Sequence, residues 1–261
     1  MATARAKVLL RHLAESDRVG FTASEARQWL YPSRADAGAA TATYTLLHQL
    51  VRDGLLHRLA SGIYASALAG SSLDEWDIAM LLDPKGVLSH QSALMIHGLT
   101  QQLYRRITLS VPGSSHERRP GRLIQKVRYD FVVVAPHRFF GHEVRYMSLR
   151  PLRVTDLERT LLDTLGASSR VGGFEVFHHA LEAALPRLNV PRLAEYLSRL
   201  RAPGLAQRMG YVLEQRGSGT MAHRHLKPLV GRRVVSLDTR AVAHGPLDAI
   251  WKVRLNTSLP E

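Results

Sequence analysis

The sequence predicts an α+β protein in which an N-terminal winged helix-turn-helix domain precedes a larger, mixed α+β domain. Residues 1–67 read as helix, helix, helix and hairpin, which is the order of a winged helix. After residue 72, helical and β-prone stretches mix without a repeat of about 20–50 residues. An Ala-Leu-Ala-Gly-Ser-Ser run at 67–72 is typical of a linker. Since 261 residues suffice for two cores, we expect domains at 1–70 and 71–261.

The first two helices are predicted from spacing and capping. Apolar residues recur at helical spacing within residues 8–13. The second helix begins with a capping box, because Thr22 can accept a hydrogen bond from the backbone N–H of Glu25 while the Glu25 side chain reaches back. Pro32 then ends this helix.

A third helix is predicted over about 37–52, with Gly54 as its terminator. With Leu47 at the centre of the buried face, a step of about 100° per residue separates a core side from a polar outer side. The core side contains Ala40, Thr43, Tyr44, Leu50 and Val51. The outer side contains Gly38, Thr41, Thr45, His48, Gln49 and Arg52. Residues 55–65 follow as a hairpin, with two β-prone runs around a small-residue turn.

The second domain is predicted to mix both kinds of element. Ser89 is expected to cap one helix and Thr155 with Glu158 to form a capping box on another. The predicted helices span 74–82, 90–97, 156–165, 175–185, 192–200, 205–215 and 223–230. The predicted strands span 107–111, 123–128, 131–135, 144–147 and 250–255. A basic turn at 113–122 is expected to project from a sheet edge.

The charge balance points to a polyanionic partner. The chain carries 35 Lys and Arg against 22 Asp and Glu, a net charge of +13. The excess is concentrated in residues 105–153, with 11 basic and 3 acidic side chains. Nucleic acid is therefore the expected partner, with a membrane surface or an acidic protein as alternatives. A possible basic surface of the second domain comprises Arg105, Arg106, Arg118, Arg119 and Arg122.

Composition also excludes several classes of function. With no cysteine, the chain has no disulfides, no thiol catalysis and no cysteine-based zinc site. It has no apolar stretch long enough to cross a bilayer and no signal-peptide pattern, so we expect a cytoplasmic, nucleoid-associated protein without a membrane partner.

No motif in the chain identifies an enzyme. The glycine-containing segment 111–115 is a turn that lacks the phosphate-binding loop pattern and the Gly-x-Gly-x-x-Gly fingerprint, and the sequence has no Gly-x-Ser-x-Gly nucleophile elbow. The histidines His90, His97, His178, His179, His223 and His225 lack a specific metal-ligand spacing. The carboxylates Glu158, Asp163, Glu175 and Glu182 are interpreted as capping or solvent-facing groups. We therefore predict no catalytic residue, no bound metal and no cofactor.

Six strings in the sequence are informative together, at 55–64, 87–102, 155–163, 172–173, 210–214 and 250–256. In their order and spacing, these strings resemble the AbiEi antitoxin family over nearly the whole chain. The resemblance implies an antitoxin and transcriptional autorepressor of a bacterial type IV toxin–antitoxin pair. It further implies a winged helix that binds inverted repeats in promoter DNA, a C-terminal domain that counteracts toxicity, and an AbiEii-like nucleotidyltransferase toxin as the functional partner.

Helical phase, not the resemblance, selects the predicted DNA contacts. Threonines on the outer side of the third helix can address base edges, and arginines near it can meet phosphates. The selected residues are Arg34, Thr41, Thr45, His48, Arg52 and Arg58. Three alternatives remain open. The third helix can be an ordinary hydrated packing element. The chain can instead be a metal-dependent nuclease, using Asp163, fused to a winged-helix DNA reader, or an interaction protein that binds an acidic partner.

Overall fold

The computed structural model describes residues 4–16, 18–34, 36–67, 73–102, 105–114, 117–147 and 150–259 and shows a mixed α+β fold. The chain forms two compact units. The first contains Met1–Gly86 with Gly121–Tyr129, and the second contains Val87–Pro120 with Asp130–Glu261. Most of the predicted linker, residues 68–72, lies outside the described residues. Within the described part of the chain, every helix is too short or too polar to cross a membrane.

The first unit places helices around a three-stranded antiparallel sheet of order β1-β3-β2. Its core contains the fully buried side chains of Leu9, Phe21, Leu47, Leu50 and Leu56. The elements are α1 (Ala4–Glu15), β1 (Gly20–Thr22), α2 (Ala23–Leu30), α3 (Ala37–Arg52), β2 (Leu56–Ala60), β3 (Ile63–Ser66) and α4 (Glu75–Leu82). The hairpin and the three helices follow the predicted order. The additional strand β1 has only three residues, too few to show an alternating pattern.

The predicted capping box of α2 is confirmed. The backbone N–H of Glu25 donates to Thr22 Oγ1 over 3.1 Å, and the N–H of Thr22 donates to Glu25 Oε2 over 2.7 Å. Arg18 also donates to Glu25 over 2.7 Å. Burial acts to raise the pKa of Glu25, but these hydrogen bonds outweigh it and hold the pKa below its ordinary value.

The bounds predicted for α3 are confirmed, but its predicted phase is wrong. The buried face is centred between Thr43 and Leu50, and Leu46 and Ala39 complete it. Tyr44, predicted to be in the core, is 53% exposed. The physical reason is that Leu47 lies toward one margin of the buried face, so centring the face on it rotates the apolar sector toward Tyr44. All six residues predicted to face outward are exposed.

The largest sheet described has six strands in the order β6-β7-β5-β4-β9-β8. Its strands are β4 (Val87–Leu88), β5 (Arg106–Pro112), β6 (Arg122–Ile124), β7 (Val127–Val134), β8 (His142–Met147) and β9 (Arg150–Thr155). The strands predicted at 123–128 and 131–135 are wrong in their boundaries. A two-residue turn at Gln125 and Lys126, both with positive φ, separates β6 from β7. Neither residue is the glycine or asparagine that normally signals such a turn.

The remaining helices of the second unit enclose a core that includes Leu94, Phe177, Leu193, Met209 and Trp251. They are α5 (Gln91–Ile96), α6 (Leu157–Gly166), α7 (Ser168–Val171), α8 (Phe174–Ala184), α9 (Val190–Leu200), α10 (Pro203–Leu213) and α11 (Gly219–His225). A small sheet of order β10-β12-β11 follows, formed by β10 (Val235–Ser236), β11 (Leu247–Asp248) and β12 (Val253–Arg254). The last strand is therefore much shorter than the predicted 250–255.

Two predicted caps are wrong. Ser89 does not cap α5, because His90 is the residue that precedes the helix, and the Ser89 hydroxyl bonds to Ser110 and to the His90 ring instead. Thr155 is the last residue of β9, and Asp156 caps α6 by accepting from the N–H of Arg159. Glu158 consequently does not close a capping box.

Candidate nucleic-acid interface

Helix α3 is fixed to the first unit through one face and both ends. Asp36 caps its N-terminus by accepting from the N–H of Ala39 over 2.8 Å. Thr43 lies on the buried face, where its hydroxyl donates to the carbonyl of Ala39 over 2.8 Å. At the other end, the N–H of Leu55 donates to the carbonyl of Leu50 and leads the chain into β2. These contacts fix the rotation of α3 about its own axis, so the opposite face of the helix is always the exposed one.

The exposed face of α3 brings together four of the six predicted DNA contacts: Thr41, Thr45, His48 and Arg52. The hydroxyls of Thr41 and Thr45 each donate to a backbone carbonyl one turn earlier, over 3.0 Å. Their oxygen lone pairs and methyl groups are left for an external partner. Tyr44, which sequence reasoning placed in the core, adds an aromatic ring to the margin of this face. The face is polar, carries no acidic side chain and includes one cation.

Arg34 is tied to the residue that caps α3. Its Nε donates to Asp36 Oδ2 over 2.9 Å, and its Nη2 donates to Asp36 Oδ1 over 3.2 Å. The hydrogen bonds between them raise the pKa of Arg34 and lower the pKa of Asp36. Since both side chains are exposed, this pair contributes little to stability.

The hairpin of β2 and β3 presents Arg58 on its exposed strand. Arg58 pairs across the sheet with Tyr64, and the register shifts between Arg58 and Ala60. The turn that joins the strands contains Gly62 in the left-handed region, at φ 75°. Because β3 is buried and lies between β1 and β2, the outer strand β2 carries the polar side chains.

The structure does not bring the five predicted basic residues of the second domain into one unit. Arg105, Arg106, Arg118 and Arg119 belong to the second unit, and Arg122 belongs to the first. Arg106 forms an ion pair with Asp130 over 2.9 Å. The Arg119 guanidinium lies 4.3 Å from the centre of the Phe131 ring.

Three of the four carboxylates considered for a nuclease are already engaged, whereas Glu175 is exposed. Asp163 Oδ1 accepts from Arg159 Nε over 2.9 Å. Glu158 is buried and accepts from the backbone N–H of Asn189 over 2.9 Å. Glu182 lies 3.1 Å from Arg216 Nε. These contacts give each of the three a role within the fold.

One group of potential metal ligands occurs among the described residues, formed by His178, His179 and Glu182. Arg216 contacts two of these residues, because its Nη2 lies 2.6 Å from His178 Nε2 and its Nε lies 3.1 Å from Glu182 Oε1. Burial lowers the pKa of His178, so the neutral ring accepts from the guanidinium. A guanidinium in this position competes with any divalent cation for the same nitrogen, so the residues do not fit a metal.

Sequence reasoning missed a cavity of about 420 Å³ in the second unit. Its polar lining includes His90, Arg138, Arg159, Asp163 and Arg208, which are scattered over about 120 positions of the chain. His90 and Asp163 fall within two of the family-like strings, but nothing in their spacing predicts that they share a cavity. Only the packing of β5, β7, α6 and α10 brings them together.

Comparison with known proteins gives a likeness of fold. No protein-family model and no curated protein matches the chain. The chain is similar in structure to the Rv2827c protein from Mycobacterium tuberculosis, with a TM-score of 0.64 and 16% sequence identity. The likeness covers 97% of this chain and 92% of that one. At this identity it shows the shared fold alone.

Proposed function

We propose that the chain is a sequence-specific DNA-binding protein in which the first unit acts as a winged helix and α3 enters the major groove. The observation that carries this proposal is the exposed face of α3, with Thr41, Thr45, His48 and Arg52 on a helix whose other face is fully packed. The order of three helices and a β-hairpin supports it, because a winged helix uses this arrangement to read a groove and contact the flanking backbone.

The chemistry of the face fits duplex DNA. Threonine methyl groups can contact thymine methyls, and hydroxyl oxygens can accept from base amino groups in the major groove. Arg52 on α3 and Arg58 on the hairpin are exposed cations that can bind phosphates on either side of the helix. Arg34 can bind a phosphate of the DNA backbone only if its ion pair with Asp36 opens.

We further propose that this DNA-binding protein is the autorepressor and antitoxin of a type IV toxin–antitoxin pair. The AbiEi-like strings in both units support the assignment, and an AbiEii-like nucleotidyltransferase toxin would be the functional partner. On this proposal the chain acts by binding its promoter, at inverted repeats, and by counteracting the toxin. It requires neither catalysis nor a cofactor.

An electrophoretic mobility-shift assay tests the DNA-binding proposal. We expect the purified chain to bind its own upstream DNA more tightly than a scrambled duplex of the same composition. Thr45→Ala removes a contact to a base edge and should reduce this discrimination about tenfold. Arg11→Ala removes an exposed charge from α1 and serves as the matched control, with no expected change. Equal affinity of the unmodified protein for both duplexes would refute the proposal.

Growth assays test the antitoxin role separately. Expression of an adjacent nucleotidyltransferase-like open reading frame should arrest growth, and coexpression of this chain should restore it. The Thr45→Ala variant should still restore growth while losing repression of a promoter reporter, because the counteracting of toxicity is assigned to the second unit and DNA reading to α3. Failure of the unmodified chain to restore growth would leave DNA binding as its function and exclude the antitoxin role.

A further inference from the structure

The cavity in the second unit has the dimensions of a small-molecule site. Its volume of about 420 Å³ falls within the range of roughly 300–1,000 Å³ that is usual for ligand pockets. The apolar part of its wall comes from the end of β7 with the next residue, from α6, from the end of α9 and from the first turn of α10. The apolar lining residues are Val132, Val133, Val134, Ala135, Leu162, Leu200 and Leu205.

Three arginines make the cavity electropositive. Arg159 is held rigidly, because its Nη1 donates to the carbonyls of Arg138 and Phe140 and its Nε donates to Asp163. Arg208 is 8% exposed and is fixed by bonds to the carbonyls of Gly204 and Leu165. Arg138 completes the set from an exposed position at the rim. Against these three cations the lining contains one carboxylate, that of Asp163.

His90 is held in the cavity wall by an unusual backbone conformation. It lies between β4 and α5 at φ 53° and ψ −122°, in a region that non-glycine residues rarely adopt. Such strain costs about 1–3 kcal/mol and is concentrated at functional sites. Ser110 Oγ donates to Ser89 Oγ, which contacts His90 Nδ1 over 2.9 Å and fixes the ring. Nε2 is then the ring atom available to a ligand.

Asp163 adds a hydrogen-bond acceptor to the polar lining of the cavity. Its Oδ1 accepts from Arg159, while its Oδ2 is buried and has no hydrogen-bond partner among the described residues. A buried carboxylate oxygen without a donor is unfavourable, so a ligand that offers a hydroxyl at this position would relieve the cost.

We propose that this cavity binds a small phosphate monoester that carries hydroxyl groups, of the size of a pentose phosphate. The arginines bind the phosphate oxygens, since guanidinium groups match phosphate geometry. Asp163 Oδ2 accepts from a sugar hydroxyl, and His90 Nε2 bonds to the ligand between these two ends. The proposal is independent of DNA binding, because its residues all belong to the second unit and none lies on α3.

Isothermal titration calorimetry of the full chain with ribose 5-phosphate, inorganic phosphate and ribose tests the proposal. We expect saturable binding of ribose 5-phosphate, weaker binding of inorganic phosphate and none of ribose. Arg138→Ala should weaken the binding of both phosphate ligands about tenfold or more, because a charge-assisted hydrogen bond is lost. Arg138 lies at the rim, so this variant keeps the fold. Arg224→Ala removes an exposed charge from α11 and should leave both affinities unchanged.

Asp163→Asn tests the hydroxyl end. Asparagine keeps an oxygen for Arg159 Nε but replaces the charged, unpartnered oxygen with an amide nitrogen that bonds a hydroxyl more weakly, so the preference for ribose 5-phosphate over inorganic phosphate should decrease. Absence of saturable binding to the unmodified chain would overturn the proposal. Equal losses in Arg138→Ala and Arg224→Ala would also overturn it, because they would show a general effect of charge. An unchanged preference in Asp163→Asn would refute the assigned hydroxyl contact.

Discussion

At the scale of single residues, buried polar side chains in this chain serve to join separate elements. Glu158 lies in α6, but its carboxylate accepts from the backbone N–H of Asn189, the residue that caps α9. Arg192 lies 3.6 Å from the other carboxylate oxygen. The carboxylate therefore satisfies a helix terminus that belongs to a different part of the sequence, which is why local capping rules assign it wrongly.

Replacing Glu158 with alanine should destabilise the protein by about 1–3 kcal/mol, because the N–H of Asn189 loses its buried acceptor. The melting temperature measured by differential scanning calorimetry checks this expectation. Glu175→Ala is the matched control on α8, where the side chain is 76% exposed and lies 3.8 Å from His179. Equal changes in the two variants would contradict the structural role of Glu158.

Three buried histidines predict how stability depends on pH. Burial lowers the pKa of His90, His97 and His178 from the ordinary 6.5. As the pH falls below 6.5, the unfolded chain therefore binds more protons than the folded chain, and the free energy of unfolding decreases. Above 6.5 both states are neutral at these positions and the contribution levels off. We expect the melting temperature to be constant near pH 8 and to fall through pH 6.

His97→Gln should make that decrease less steep, because glutamine cannot titrate but can still donate to the carbonyl of Thr155, as His97 Nε2 does over 2.7 Å. Thermal melts of both proteins across the same buffers provide the comparison. A melting temperature that rises on acidification would show that the buried rings are not kept neutral by the fold.

At the scale of elements, helix α10 depends on the absence of one side chain. Gly210 faces Trp251 so closely that an added Cβ would overlap three carbon atoms of the indole ring. Trp251 is fully buried, and its Nε1 donates to Glu214, so the ring has no room to move away. Position 210 is therefore a glycine because the Trp251 ring packs directly against the helix backbone, and not because the chain turns there.

Gly210→Ala should destabilise the protein by about 1–3 kcal/mol or more through overpacking, despite the higher helix propensity of alanine. Gly219→Ala is the matched control, because a Cβ there would meet its nearest neighbour, in Glu214, at 3.5 Å, an ordinary contact. Urea unfolding followed by tryptophan fluorescence measures both. A stability of Gly210→Ala equal to that of Gly219→Ala would contradict the packing described for Trp251.

The elements also show which information is local. The bounds of α3 and the capping box of α2 follow from residues within a few positions of one another, and both were predicted correctly. The rotation of α3 depends on which residues the neighbouring helices and sheet cover, and Tyr44 was misplaced for that reason. Strand β9 was not predicted because its pairing with β8 and β4 lies in the tertiary structure.

At the scale of the whole molecule, the charge of +13 should govern affinity for DNA more than it governs sequence choice. Raising the salt concentration should weaken binding to specific and scrambled duplexes alike, because released counterions contribute to both. Arg58→Ala should reduce the slope of log affinity against log salt by about one, as expected for one phosphate contact. Fluorescence anisotropy across a salt series measures the slope. An unchanged slope would place Arg58 outside the interface.

The candidate sites differ in how far sequence could reveal them. Four of the six predicted DNA contacts share one face of α3, because a single helix carries them at regular spacing. Arg138, Arg159 and Arg208 line one cavity only because β7, α6 and α10 pack together, and their sequence neighbourhoods give no sign of it. Periodicity reveals a site on one element, whereas a site shared between elements requires the tertiary fold.

The contact between Gly210 and Trp251 also has a consequence for biosynthesis. Helices α1 to α3 and the sheet of β1 to β3 use residues that leave the ribosome early, so this part can collapse while translation continues. The core around α10 must wait for Trp251, about 40 positions later, and closing that loop costs entropy before the contact forms. A nascent chain halted before residue 251 would therefore expose apolar surface of α10 to chaperones.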